Sequence, residues 1–159
     1  MGRRITVLVL SLVVALAAAC SSGPARRVSK PAASIQELAV QADGSWSISL
    51  RLQNYSSIPM RFESVQLALA VGGDAAGSLS QAIDLTIGPE SADIVSIALM
   101  PEAQARIRIA DTLAGNRAIG YRIEGTIRAA PSDRGSARDY SVRRESTLNP
   151  VPGLPGVMR

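Results

Sequence analysis

Residues Trp46–Gly73, WSISLRLQNYSSIPMRFESVQLALAVGG, decide the fold. In an extended chain successive side chains point to opposite faces. Trp46, Ile48, Leu50 and Leu52 therefore share one face, and Ser47, Ser49, Arg51 and Gln53 share the other. That is the pattern of an antiparallel strand with one wet side. Asn54–Pro59 turns the chain, because Asn and Ser bond to nearby backbone and Pro fixes φ. Val65, Leu67, Leu69 and Val71 then alternate with Gln66, Ala68 and Ala70 until Gly72 and Gly73 end the strand. Phe62 is out of phase with this series, which predicts a β-bulge near Glu63 and Ser64. Trp46 is in phase with the apolar face, which favours core or rim packing over ligand stacking.

Working outward, the same period recurs. Upstream, Ile35–Gln41 carries Leu38 and Val40 on one face, and Ala42-Asp43-Gly44 supplies the positive φ of a hairpin turn. Downstream, Ile83, Leu85 and Ile87 form one apolar face and Val95, Ile97 and Leu99 another, separated by the turn Gly88-Pro89-Glu90. Ile119–Ile127 alternates again, with Tyr121 and Ile123 inward, and a polar loop from Pro131 to Asp139 leads to a weaker strand around Tyr140 and Val142. Between these, Pro101–Ala114 changes period. Ala103, Ile107, Ala110 and Ala114 fall at helical spacing with Gly115 as a stop, while Ala105, Ile107 and Ile109 also fit a strand. Such spacing indicates an antiparallel sandwich or barrel, and the prediction is an all-β antiparallel β-sandwich of about seven or eight strands with one short helix.

The ends differ from this core. Residues 1–19 have a basic start, an apolar run from Ile5 to Ala19 and small residues before Cys20, which is the layout of a secretory signal peptide. The run falls short of the roughly 20 residues that span a bilayer. Leu16-Ala17-Ala18-Ala19-Cys20 resembles the lipobox of bacterial lipoproteins, with Ala17 where Leu is commonest. Cys20 is the only cysteine, so it has no internal disulfide partner, and lipidation is the economical reading against a chance cysteine after a plain signal peptide. The covalent diacylglycerol and N-acyl lipid on Cys20 would be the chain's only attached groups, with no cofactor expected. Ser21 after the cysteine favours, in a host with two membranes, an outer-membrane anchor facing the periplasm. Residues 20–33 are expected to be a tether whose Arg26, Arg27 and Lys30 are either solvated or near anionic headgroups. Residues 34–148 form the sandwich, and the tail 149–159, with three prolines and two glycines, cannot enter a sheet interior.

Composition excludes several functions. With no histidine, one cysteine and one lysine (Lys30, in the tether), the chain lacks the usual nucleophile, base and metal-ligand sets, and its acids stand singly on outward strand positions. Gly72-Gly73-Asp74 and Asp93 fit turn and surface positions. The arginines are scattered without interleaved aromatics, unlike a nucleic-acid surface. The reading is therefore non-enzymatic and without a metal site.

The segments SLRLQNYSSIPMRFESVQLALAVGG, IGPESADIVSIAL and AIGYRIEGTIRA, taken in order, resemble the water-stress and hypersensitive-response (WHy) domain, also described as the late embryogenesis abundant type 2 (LEA type 2) domain. Asn54 matches the first Asn of that family's Asn-Pro-Asn-like turn, and Tyr55 and Ser56 replace the next two residues. The resemblance implies a fibronectin type III-like sandwich and a protective role in stress or desiccation, exerted through an envelope protein or membrane component. Asn54, Tyr55 and Ser56 are the candidate binding loop. The competing expectations are a tethered carrier of a lipid or other hydrophobic ligand, and a structural subunit of an envelope complex.

Overall fold

The computed structural model describes residues 26–159. Eight strands and one helix follow in order: β1 Ala32–Val40, β2 Trp46–Gln53, β3 Met60–Val71, β4 Asp74–Ile87, β5 Ala92–Leu99, α1 Ala103–Ala114, β6 Ile119–Pro131, β7 Arg138–Leu148 and β8 Val157–Met158. They form two four-stranded sheets, ordered β5-β2-β1-β8 and β4-β3-β6-β7, with every pairing antiparallel. The chain crosses between sheets after β2, β4, β5 and β7. This is a Greek-key sandwich of the kind shared by immunoglobulin-like and fibronectin type III domains; the alternation predicts the antiparallel strands, and the two separate sheets make the fold a sandwich rather than a closed barrel.

The core is the set of inward positions from both sheets. Trp46, Ile48, Leu50 and Leu52 of β2 are fully buried and face Phe62, Val65, Leu67 and Ile123 of the other sheet within one cluster. The bulge lies where Phe62 falls out of phase. Both neighbours of β3 shift register between Phe62 and Ser64, so a three-residue step still puts Phe62 and Val65 on the inner face. The sheets are also joined at one edge, where the Tyr121 hydroxyl accepts the Ile35 N–H at 3.1 Å beside a bulge in β1.

Several boundaries differ from the sequence expectation. β1 starts at Ala32, pairing with Gln53, because the segment before it is bonded to the loop beyond Gln53. Asp74–Ala82, unassigned by alternation, belongs to the 14-residue β4. Its small residues Ala75, Ala76, Gly77 and Ser78 hide the period. The turn is a two-residue hairpin in which Gly72 and Gly73 both have positive φ, 56° and 91°. In the first hairpin only Gly44 is left-handed, and the Asp43 carboxylate instead accepts the Ser45 N–H and hydroxyl. Those two bonds, the hydroxyl first, hold the Asp43 carboxyl below its ordinary range.

α1 settles the period change in favour of a helix, on a different face. Ala105, Ile109 and Thr112 are buried against the sandwich, while Ile107 is 63% exposed. Both face assignments obey helical spacing, and the small Ala105 allows the close approach. Asn116, not Gly115, takes the left-handed conformation after the helix. The tail stays out of the sheet interior but returns as β8, pairing with β1 at Leu38 and Ala39 and burying Met158. Arg159 secures it through Glu37 at 2.7 Å. Among the described residues no helix is long and apolar enough to cross a membrane.

Candidate functional site

Cys20 lies outside the described residues, so the structure places only the candidate loop Asn54, Tyr55 and Ser56. This loop sits at one end of the sandwich beside the β4–β5 turn and the β6–β7 loop. Asn54 is 1% exposed. Its amide nitrogen donates to the carbonyl oxygens of Ile58, Ile87 and Gly88 at 2.9, 3.1 and 2.8 Å, and its Oδ1 accepts the Ser56 N–H at 2.8 Å. A short amide is what this point requires, since it alone offers two N–H protons and an acceptor in so small a volume. Asn54 thus ties the β2–β3 loop to the β4–β5 turn.

Ser56 is equally inward. It is fully buried, and its hydroxyl accepts the Ser29 N–H at 3.0 Å. Ser57 pairs with Arg27 in both directions, its hydroxyl accepting the Arg27 N–H at 2.8 Å and its own N–H donating to the Arg27 carbonyl at 3.0 Å. Of the three candidate residues only Tyr55 is presented to solvent, at 52% exposure. Its carbonyl accepts from the Arg27 guanidinium.

The segment that completes this end, expected to be a tether, is instead bonded to the domain. Arg26 grips Asp133 with two bonds of 2.7 and 3.1 Å and donates a third to the Arg134 carbonyl. Arg27 reaches Glu90 at 2.9 Å. The Arg134 backbone N–H, helped by Arg26, holds the Asp133 carboxyl below its ordinary range. These partners are separated by 63 to 108 positions, so no local pattern could reveal them. Pairs this exposed contribute little individually; together with the backbone bonds they fix where the chain enters the domain.

The outer face of the β4-β3-β6-β7 sheet is the other feature. A shallow depression of about 520 Å³ lies over Ala70, Gly73 and Gly120, with Arg122 and Glu145 at its rim. It exists because outward positions there carry small side chains. Glu145 is held below its ordinary range chiefly by a hydrogen bond from Arg143, whose guanidinium is correspondingly raised. Both side chains are exposed, and the arrangement offers polar contacts rather than an activated acid or base. Among the described residues no group of three or more His, Cys, Asp and Glu side chains is placed to hold a metal ion. Trp46, in the core, leaves its indole N–H without a partner among the described residues.

No family model matches the chain, and no curated protein matches it. Two solved structures resemble it in backbone. A crystal structure of a protein from Archaeoglobus fulgidus is 15% identical over 79% of this chain and 98% of that one, with a TM-score of 0.46. A solution structure of a protein from Arabidopsis thaliana is 8% identical over 85% and 91%, with a TM-score of 0.49. Neither likeness bears on function.

Proposed function

We propose that this chain is a non-enzymatic envelope lipoprotein, anchored through acyl groups on Cys20, whose sandwich protects the envelope under drying or osmotic stress by binding another envelope component. The observation that carries the reading is the fastening of Arg26–Ser29 to the loops at one end of the sandwich. A domain gripped this close to its lipidated residue is held near the bilayer in a restricted orientation. It then presents its sheet faces to partners at a fixed height. The stress role rests on the resemblance to the WHy domain. The lipid rests on the sequence before Cys20, and two or three acyl chains make such an anchor stable.

The charged groups of the surface pair with one another. Among the described residues each group with a shifted titration owes it to a neighbour on the surface: Asp43 to Ser45, Asp133 to Arg134 and Arg26, Glu145 to Arg143, and Arg143 to Glu145 and Glu124. These are structural pairings.

Deleting the gene is expected to lower survival after drying or hyperosmotic shock, with restoration by the wild-type chain and not by Cys20→Ser. Equal survival of the deletion strain and its parent, with equal envelope permeability, would contradict the proposal. Native mass spectrometry tests the carrier alternative, which predicts a bound lipid on the unacylated chain.

A further inference from the structure

We infer that the loop end of the sandwich is a docking face for an anionic phospholipid surface; this deepens the anchored reading above and rests on lipidation of Cys20. Five residues separate Cys20 from Arg26. Whatever their conformation, six Cα–Cα steps span at most about 22 Å. β3 has 12 residues, so the sandwich is about 40 Å long. Arg26 is bonded into the loop end, so a lipid on Cys20 keeps that end nearest the bilayer and cannot turn the opposite end towards it.

The face fits such a surface chemically. Residues 26–31, 54–59, 88–91 and 132–137 carry Arg26, Arg27, Lys30 and Arg134 against Glu90 and Asp133, a net charge of +2. Arg26 and Arg27 are ion-paired, while Lys30 and the Arg134 guanidinium have no ion-pair partner among the described residues. Tyr55 and Val28, 52% and 45% exposed, stand among them. A phenol and an aliphatic side chain ringed by cations suit the headgroup level of a membrane, where Tyr is enriched and each cation contributes about fivefold in affinity for an anionic surface.

The test uses the lipidated full chain. Acylation blocks the only native thiol, so Ser136→Cys, in the β6–β7 loop, gives one labelling site and Gln41→Cys, in the β1–β2 hairpin, gives another. Each is coupled to an environment-sensitive fluorophore and reconstituted in vesicles of phosphatidylethanolamine with or without phosphatidylglycerol. The inference predicts that the Ser136 probe is quenched by a headgroup-linked quencher and shielded from iodide, more so with phosphatidylglycerol, while the Gln41 probe behaves oppositely. Lys30→Glu combined with Arg134→Glu should lower the docked-to-undocked ratio by at least about 25-fold. Equal accessibility of both probes, or no dependence on phosphatidylglycerol, overturns the docking face while the anchor stands. An intact mass showing unmodified Cys20 overturns both.

Discussion

Replacing Asn54 tests whether the loop end is built as described. Its amide offers two protons to three carbonyls and its Oδ1 takes the Ser56 N–H, so about three full hydrogen bonds depend on one side chain. At about 1 kcal/mol each, with a further ~1 kcal/mol for stranding the Ser56 N–H in a fully buried position, Asn54→Ala should cost about 4 kcal/mol. Asn54→Asp keeps the shape and the Ser56 bond but turns a negative oxygen towards three carbonyl oxygens. It should cost more than alanine at neutral pH. The new carboxyl would be buried among acceptors, which raises its folded pKa above the ordinary value of about 3.9. The variant's stability is then fully present below that ordinary value and is lost as pH rises through the raised one. Guanidinium unfolding followed by Trp46 fluorescence is the assay, since Trp46 is the only tryptophan and fully buried. A loss under about 1 kcal/mol for Asn54→Ala, or an Asn54→Asp stability that tracks the parent across about pH 3 to 7, the span of carboxylate titration, would show that the Asn54 amide does not hold the loop end together.

Gly125→Ala should cost about 3 kcal/mol or prevent folding, because its Cβ would lie 2.1 Å from the Gln66 carbonyl oxygen in the centre of the β3–β6 pairing, and thermal melting would show it. On α1, Ile109→Ala should lose about 2 to 4 kcal/mol in denaturant titration while Ile107→Ala changes stability by under about 0.5 kcal/mol, because only Ile109 faces the core. The depressed Asp133 carboxyl contributes stability that is present above its unfolded value of about 3.9 and is lost as pH falls through the lower folded one. The protection factors of the Arg27 and Ser29 amides, referred to the intrinsic exchange rate at each pH, should therefore fall on acidification before those in β2 do, and Asp133→Asn should remove that difference.

The sandwich was legible because alternation over β2, β3 and β6 is strong enough to fix which side chains face inward, and Phe62 marked its bulge. Alternation failed where side chains are small, as at Ala75–Ser78, since a run of Ala, Gly and Ser has no hydrophobic period to read. The helix was legible and its face was not. Ala103/Ile107/Ala110 and Ala105/Ile109/Thr112 are equivalent in spacing, and only packing on β3 and β4 chooses between them. At the candidate loop, residue type located Asn54, Tyr55 and Ser56, but direction came from distant partners. Asn54 and Ser56 turn inward to carbonyls and to Ser29, and only Tyr55 faces out. The grip of Arg26 and Arg27 on Asp133 and Glu90 had no local signature at all.

In the proposed arrangement Cys20 carries the lipid that holds this end of the sandwich to a membrane. Intact mass and fragmentation of the mature chain from native membranes measure it directly. The expected result is an N-terminus at Cys20 bearing a thioether diacylglycerol and an N-acyl group, both lost in Cys20→Ser. A mature chain that begins elsewhere, or begins at Cys20 with a free thiol and amine, would contradict it.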